Sequence, residues 1–263
     1  MTLPLAGMTV VVTRPERQAG PFIDRATRAG AACLAIPAIA VDPVTLDEVA
    51  RARLAPDAHD WTIYTSANAV EASLAQLARP ARCKVAAVGR ATAHALEARG
   101  IAVDARPAGR SDSEGLLALP ALAAVAGQRI LILRGEGGRD LLREQLHRRG
   151  ATVQVGELYR RRPATVAPDA LAALDDALRA GSRLLIVAVT SVEVLDGLLG
   201  LVPPELAARL RVAALLLPGE RVAEAARARH WTGEIVMATS AEDAAMLAAL
   251  EQHAASRGTL PPS

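Results

Sequence analysis

The 263-residue chain is 51% hydrophobic but only 2% aromatic, so its core must be built from Ala, Leu and Val. That length holds one large domain or two of about 100–130 residues, and a net charge of +2 is not the footprint of a general nucleic-acid binder. Cys33 and Cys83, the only cysteines, read as reduced thiols; the opening MTLPLAGMTVVVTRPE has no basic n-region, and no apolar run reaches the ~20 residues of a membrane helix, so the expected setting is the cytoplasm.

Short apolar runs alternate with helical patterns along the chain. MTVVVT (8–13) predicts a strand, 16–30 a helix stopped at Gly30, and AACLAI (31–36) a strand. WTIYT (61–65) is a strand before a helix at 67–78, and KVAAV (84–88) a strand before a helix at 90–99 stopped by Gly100. RILIL (129–133), RLLIVAV (183–189) and RVAALLL (211–217) are strands, followed by helices at 138–149, 191–200 and 219–229. Near-continuous apolar strands, each followed by an amphipathic helix, mark parallel sheets covered on both faces, hence a doubly wound α/β fold. Glycine just past three of the helices supports those ends. Residues 256–263 read as a disordered tail.

The chain also repeats itself. Segment 13–36 resembles 133–155, TSANAV (65–70) resembles TSVEVL (190–195), 85–100 resembles 212–230, and SDSEGLLAL (111–119) resembles TSAEDAAMLAAL (239–250). Two copies of one α/β unit are the economical explanation. The short Pro-bounded segments 37–44 and 156–163 lie between repeat units and read as connections between domains.

Ligands of open parallel sheets bind beyond the carboxyl ends of the strands, and polar residues collect there in every unit. Arg14 follows the first strand, Thr65, Ser66 and Ala67 the WTIYT strand, and Gly89, Arg90 and Thr92 the KVAAV strand. Arg134 and Arg139 follow RILIL, Ser191 follows RLLIVAV, Arg221 follows RVAALLL, and Ser113 opens SEGLL. Helix N-termini, hydroxyls and arginines on such rims point to a polyanionic ligand. Each has a plainer alternative: Ser66 and Ser191 as helix caps, Thr190-x-x-Glu193 and Ser111-x-x-Glu114 as capping boxes, Tyr64 as core, Arg160–Arg162 as a solvated run. Tyr159, one of two tyrosines, lies on a connector, where interdomain packing competes with function. RGEGGR meets neither GxxxxGK[ST] nor GxGxxG, the histidines form no HExxH, and there is no GxSxG. A nucleotide kinase, a zinc enzyme and a serine hydrolase are disfavoured, and no cofactor is expected.

VVTRP (11–15), YTSANAV (64–70), VAAVGRATAHALEARG (85–100), SEGLL (113–117), ILILRGEGGRDLLREQLHRRG (130–150), VxxxELYRRRP (153–163), TSVEVL (190–195) and PGERVAEAA (218–226) together resemble the uroporphyrinogen-III synthase family. The resemblance implies two α/β domains with crossed topology, 1–36 plus 164–263 and 44–155, joined by antiparallel connector strands at 37–43 and 156–163. It implies that hydroxymethylbilane, a linear polycarboxylate tetrapyrrole, loses water and closes through a spiro intermediate to uroporphyrinogen III with ring D inverted. Positioning catalysis suits such a step. The family's functional tyrosine maps to Tyr159, whose neutral phenol could donate to the departing hydroxyl; its cleft positions map to Ser66, Thr92 and Ser191. PGERVAEAA has no threonine where Thr92 stands, and Arg221 is the substitute anion contact. A monomer with transient contact to hydroxymethylbilane synthase is implied. Competing readings are a binding protein for a small anion, a nucleotide-sugar glycosyltransferase and an inactive regulatory copy of the same fold.

Overall fold

A computed structural model describes residues 3–109, 112–138, 140–180 and 184–258. The chain forms two compact units: Met1–Ala40 with Arg162–Ser263, and Val41–Arg161. Elements of the first half are β1 (Thr9–Val12), α1 (Glu16–Arg28), β2 (Ala32–Ala35), β3 (Ile39–Pro43), α2 (Glu48–Arg53), β4 (Trp61–Tyr64), α3 (Ala67–Leu74), β5 (Lys84–Ala87), α4 (Arg90–Glu97) and α5 (Ser113–Leu117). There follow β6 (Arg129–Gly135), α6 (Leu141–Arg148), β7 (Thr152–Pro163), α7 (Pro168–Arg179), β8 (Leu185–Ala188), α8 (Val192–Leu201), α9 (Pro204–Leu210), β9 (Ala214–Leu217), α10 (Glu220–Ala228), β10 (Ile235–Met237) and α11 (Asp243–Gly258).

The first unit is built on a parallel sheet of order β10-β9-β8-β1-β2, with Val12 level with Ala188. The second has the order β3-β7-β6-β4-β5, parallel from β7 to β5, with Leu133 level with Tyr64. Read from β2 and from β7, the two sheets superpose as patterns: β2-β1-β8-β9-β10 against β7-β6-β4-β5 and a single parallel bridge, Ala86 to Ala105, in place of a fifth strand. The repeats seen in the sequence correspond to these matched elements, so the internal duplication is a duplication of structure. β3 is an addition outside β7.

Both sheets are covered on both faces because side chains alternate across a strand. In the first unit Val11 and Val187 point to one cluster while Val10, Val12 and Ile186 point to the other. In the second, Leu131, Leu133 and Tyr64 face one side and Ile130, Ile132, Trp61 and Ile63 the other. Gly30, Gly100 and Gly150 all have positive φ just past their helices, where a side chain would be strained.

The structure differs from several expectations. Segment 156–163 is no separate strand but the continuation of β7, since Gly156 does not break it; a Cβ there would meet Leu133 at 2.9 Å, so glycine permits close packing. Ser191 caps α8 as its pattern suggested, one residue beyond the alternative box at Thr190, and Asp112 caps α5, one residue beyond the box expected at Ser111. Residues 256–258 belong to α11 rather than to a tail; 259–263 lie outside the described residues.

Candidate functional site

Strand order reverses between β1 and β8 in the first unit and between β6 and β4 in the second. At such a reversal the connecting helices leave in opposite directions, opening a crevice at the strands' carboxyl ends. In the first unit Thr13, fully buried, ties the ends together by donating from Oγ1 to the Ala188 carbonyl at 2.6 Å. Arg14, next along, ion-pairs with Asp243 on α11, donates to the Ala241 carbonyl at 2.9 Å and lies 4.9 Å from the Phe22 ring centroid. Its guanidinium is therefore held by a carboxylate of its own unit. Ser191 follows β8 and accepts from Val194 N–H at 3.2 Å as the cap of α8. Arg221 is exposed on α10. Before it, Gly219 has φ +98°, whereas its counterpart Gly89 has φ −149°, so the two equivalent turns differ in backbone as well as in sequence.

The second unit's crevice is better defined. Thr65, whose N–H donates to Leu133 O at 3.1 Å, lines a pocket of about 100 Å³ with Ser113, Arg134, Gly135, Gly138, Arg143 and Arg161. Liquid water occupies roughly 30 Å³ per molecule, so this volume suits a carboxylate and a water or two. Arg134, mostly buried, donates to Glu157 through Nη2 at 3.0 Å and to Asp140 through Nη1 at 3.0 Å. Arg143 reaches the other Asp140 oxygen at 2.8 Å. The hydrogen bond from Arg134 leads in holding the Asp140 carboxyl below its ordinary range. Arg134 and Arg143 thus share the carboxylates of Asp140 and Glu157, and Arg161 also lines the pocket. Arg139 lies outside the described residues.

Ser66 follows Thr65 and caps α3, accepting from Ala69 N–H at 3.1 Å. Its φ and ψ, −160° and 162°, nearly equal those of Ser191, −161° and 165°. Ser66 has a second partner: its Oγ lies 2.9 Å from the Tyr159 hydroxyl on β7. Tyr159 is 3% exposed and its ring belongs to the core cluster that also holds Tyr64 and Leu133. Tyr159 thus packs in the core with its hydroxyl paired to Ser66, and neither residue is among those lining the pocket. Tyr64 is wholly core, and burial pushes its phenol above the ordinary range.

Ala67 is the first residue of α3, and Ser113 the first of α5, behind the cap Asp112. Gly89 and Arg90 open α4 at the end of β5; Thr92 is 4% exposed in that helix, and none of the three lines the pocket. Residue patterns alone did not mark Glu157, Asp140 and Arg143, because their role comes from partners on other elements. Among the described residues no three His, Cys, Asp or Glu stand together as metal ligands, and no helix is long and apolar enough to cross a membrane.

A family model described as Uroporphyrinogen-III synthase HemD matches residues 21–248. The chain belongs to the uroporphyrinogen-III synthase family. Uroporphyrinogen-III synthase of Escherichia coli K12 is 34% identical over 252 residues, covering 93% of this chain and 100% of that protein. The enzyme of Synechococcus elongatus is 37% identical over 186 residues, 66% of this chain and 69% of its own. In fold, the chain is similar to uroporphyrinogen-III synthetase from Helicobacter pylori (TM-score 0.60, 16% identity, 95% of this chain and 99% of that one). It is likewise similar to uroporphyrinogen III synthase from Thermus thermophilus (TM-score 0.59, 21% identity, 95% and 100%).

Proposed function

We propose that the chain closes hydroxymethylbilane to uroporphyrinogen III with Tyr159 as the proton donor to the departing hydroxyl. The activity rests on the family match over 21–248, which makes the chain a cyclising lyase of tetrapyrrole biosynthesis. The residue assignment rests on one observation, the 2.9 Å contact between Tyr159 and Ser66. Ser66 Oγ already accepts from Ala69 N–H, so its own proton can go to Tyr159 Oη, which leaves the phenolic proton free to be donated. The C–O bond breaks as that proton moves to the leaving hydroxyl and water departs. Attack by the substituted α-carbon of ring D forms the spiro C–C bond. The bond from that carbon to its original bridging methylene then breaks and re-forms at the ring's other α-carbon, inverting ring D, and the proton lost from this second carbon restores the phenol. The Thr65–Ser113–Arg134 pocket suits one carboxylate arm of the substrate. Arg14, Ala67, Gly89, Arg90, Thr92, Ser191 and Arg221 complete the proposed substrate contacts.

Segments 37–43 and 156–163 are proposed as the connector between the domains 1–36 plus 164–263 and 44–155. Adjacent β3 and β7, and unit boundaries at Ala40/Val41 and Arg161/Arg162, support that division. A cytoplasmic monomer using no cofactor, in passing contact with hydroxymethylbilane synthase, completes the proposal; free Cys33 and Cys83 suit a reducing compartment.

The test feeds the protein with hydroxymethylbilane made from porphobilinogen by a deaminase and resolves the type I and type III isomers. Type III product is expected from the wild type. Tyr159→Phe should fold and keep the type III preference while turning over ~10- to 100-fold more slowly, near the lower end of general-acid effects. Type I product alone from the wild type would favour a binding or regulatory role, and wild-type turnover in Tyr159→Phe would remove the tyrosine from the reaction.

A further inference from the structure

Three glycines close together at the end of β6 are glycine for different reasons. Gly137 has φ +72° and a Cβ added to it would meet nothing within 4 Å, so the backbone alone demands it. A Cβ on Gly138 would come within 3.2 Å of Arg134 Cδ, part of a long side chain that can shift. Gly135 is unlike both. Its φ is outside the left-handed region, so alanine could adopt its backbone, yet a Cβ there would stand 2.6 Å from both Cε2 and Cζ of Tyr159 and 2.9 Å from Oη. The phenol ring fills the space that a side chain at 135 would occupy. Strand pairing fixes this arrangement. β6 slips register against β7 between Arg134 and Gly135, which brings Gly135 level with Tyr159, and Glu136 N–H donates to the Tyr159 carbonyl at 2.8 Å. The Arg161 guanidinium lies 5.7 Å from the ring centroid.

We propose that Gly135 is a positioning residue, a bare seat on β6 opposite the bulge that β7 makes at Leu158, and that it sets the Tyr159 hydroxyl within reach of Ser66; the proposal rests on Tyr159 acting as the proton donor. Relieving a 2.6 Å contact to an ordinary separation of about 3.5 Å requires a retreat of roughly 0.9 Å. A displacement of that size exceeds the roughly 0.5 Å range over which hydroxyl pairs hydrogen-bond, so the 2.9 Å contact to Ser66 does not survive it unchanged.

Two cycles of variants test this. In the first, thermal unfolding compares Gly135→Ala in the wild-type and Tyr159→Ala backgrounds. With the ring present the substitution should lower Tm by about 3–10 °C, as overpacking does; with the ring removed the shift should be under about 2 °C. An equal shift in both backgrounds overturns the seating. Should Gly135→Ala fail to fold, recovery of folding in the double variant supports the proposal and continued failure overturns it. In the second cycle, Gly135→Ala should lower kcat by about the same ~10- to 100-fold as Tyr159→Phe with KM little changed, and the Gly135→Ala/Tyr159→Phe pair should be no slower than Tyr159→Phe alone. A further tenfold loss in the pair overturns the proposal. Wild-type turnover in Tyr159→Phe sinks the proton-donor reading instead, and the seating is then decided by the Tm cycle alone.

Discussion

Ser66→Ala and Ser191→Ala delete the same atom from two copies of one turn. Both serines share backbone angles within 3°, and each accepts one N–H at the start of its helix, at 3.1 Å and 3.2 Å. Loss of the cap should therefore cost each helix about 1 kcal/mol. Only Ser66 also holds Tyr159, whose hydroxyl belongs to a residue 3% exposed and would lose that partner. A side-chain hydrogen bond of this kind contributes about 1 kcal/mol more. Ser66→Ala should thus cost about 2 kcal/mol and Ser191→Ala about 1 kcal/mol. In a double-mutant cycle, Ser66→Ala and Tyr159→Phe should couple by roughly 0.5–1.5 kcal/mol, because either substitution alone already breaks the bond. Urea unfolding followed by circular dichroism measures all of these, with each serine read in the transition of its own unit. Equal costs for the two serines, or coupling within about 0.3 kcal/mol of zero, the usual error of additivity, would refute the claim that the cap and the tyrosine share one oxygen.

Further outcomes are expected in the first unit. Burial leads in lowering the pKa of His253, opposed by Glu234 and aided by Arg257. The folded state therefore resists a proton that the unfolded chain accepts, so stability should fall as pH drops through 6.5, the ordinary value for histidine. His253→Gln should flatten that part of the pH–stability curve; an unchanged slope between pH 7 and 5 would refute the assignment. Gly219→Ala should cost about 1–3 kcal/mol from backbone strain alone, since φ is +98° and nothing lies within 4 Å of its Cβ position. A neutral result in urea unfolding would show that the turn relaxes to the geometry of Gly89.

Strands buried on both faces were legible because their sequences are apolar without alternation: β4 and β8 are buried at every position, and each lies within the expected segment. β10 is three residues long with no fully buried position, too short to stand out. α7 and α9 each begin with a proline at the first helical position, Pro168 and Pro204, and that was the signal available for them. Ser66 and Ser191 could be placed as caps from local pattern alone. The contact between Ser66 and Tyr159, 93 residues apart, could not, because it depends on a register slip between β6 and β7. Arg14 and Arg134 were expected at strand ends and stand there, but the carboxylates that hold them, Asp243, Asp140 and Glu157, arrive from other elements.

The chain leaves its first unit at Ala40 and returns at Arg162, which orders events during synthesis. β1 lies between β2 and β8, and β8 begins at Leu185. Until the ribosome has made those later residues, the TVVV strand has one open edge and an incomplete apolar cover. The second unit, Val41–Arg161, is continuous and contains every strand from β4 to β6. It can therefore fold while the amino-terminal piece waits, reversing the usual order in which the first-made domain folds first. At ~5–20 residues per second the delay is on the order of ten to thirty seconds. During that interval β1 is the segment a chaperone would shield, and a slowed ribosome would expose it longer. Transferring residues 1–40 to follow the carboxyl terminus would make each unit continuous and abolish the wait.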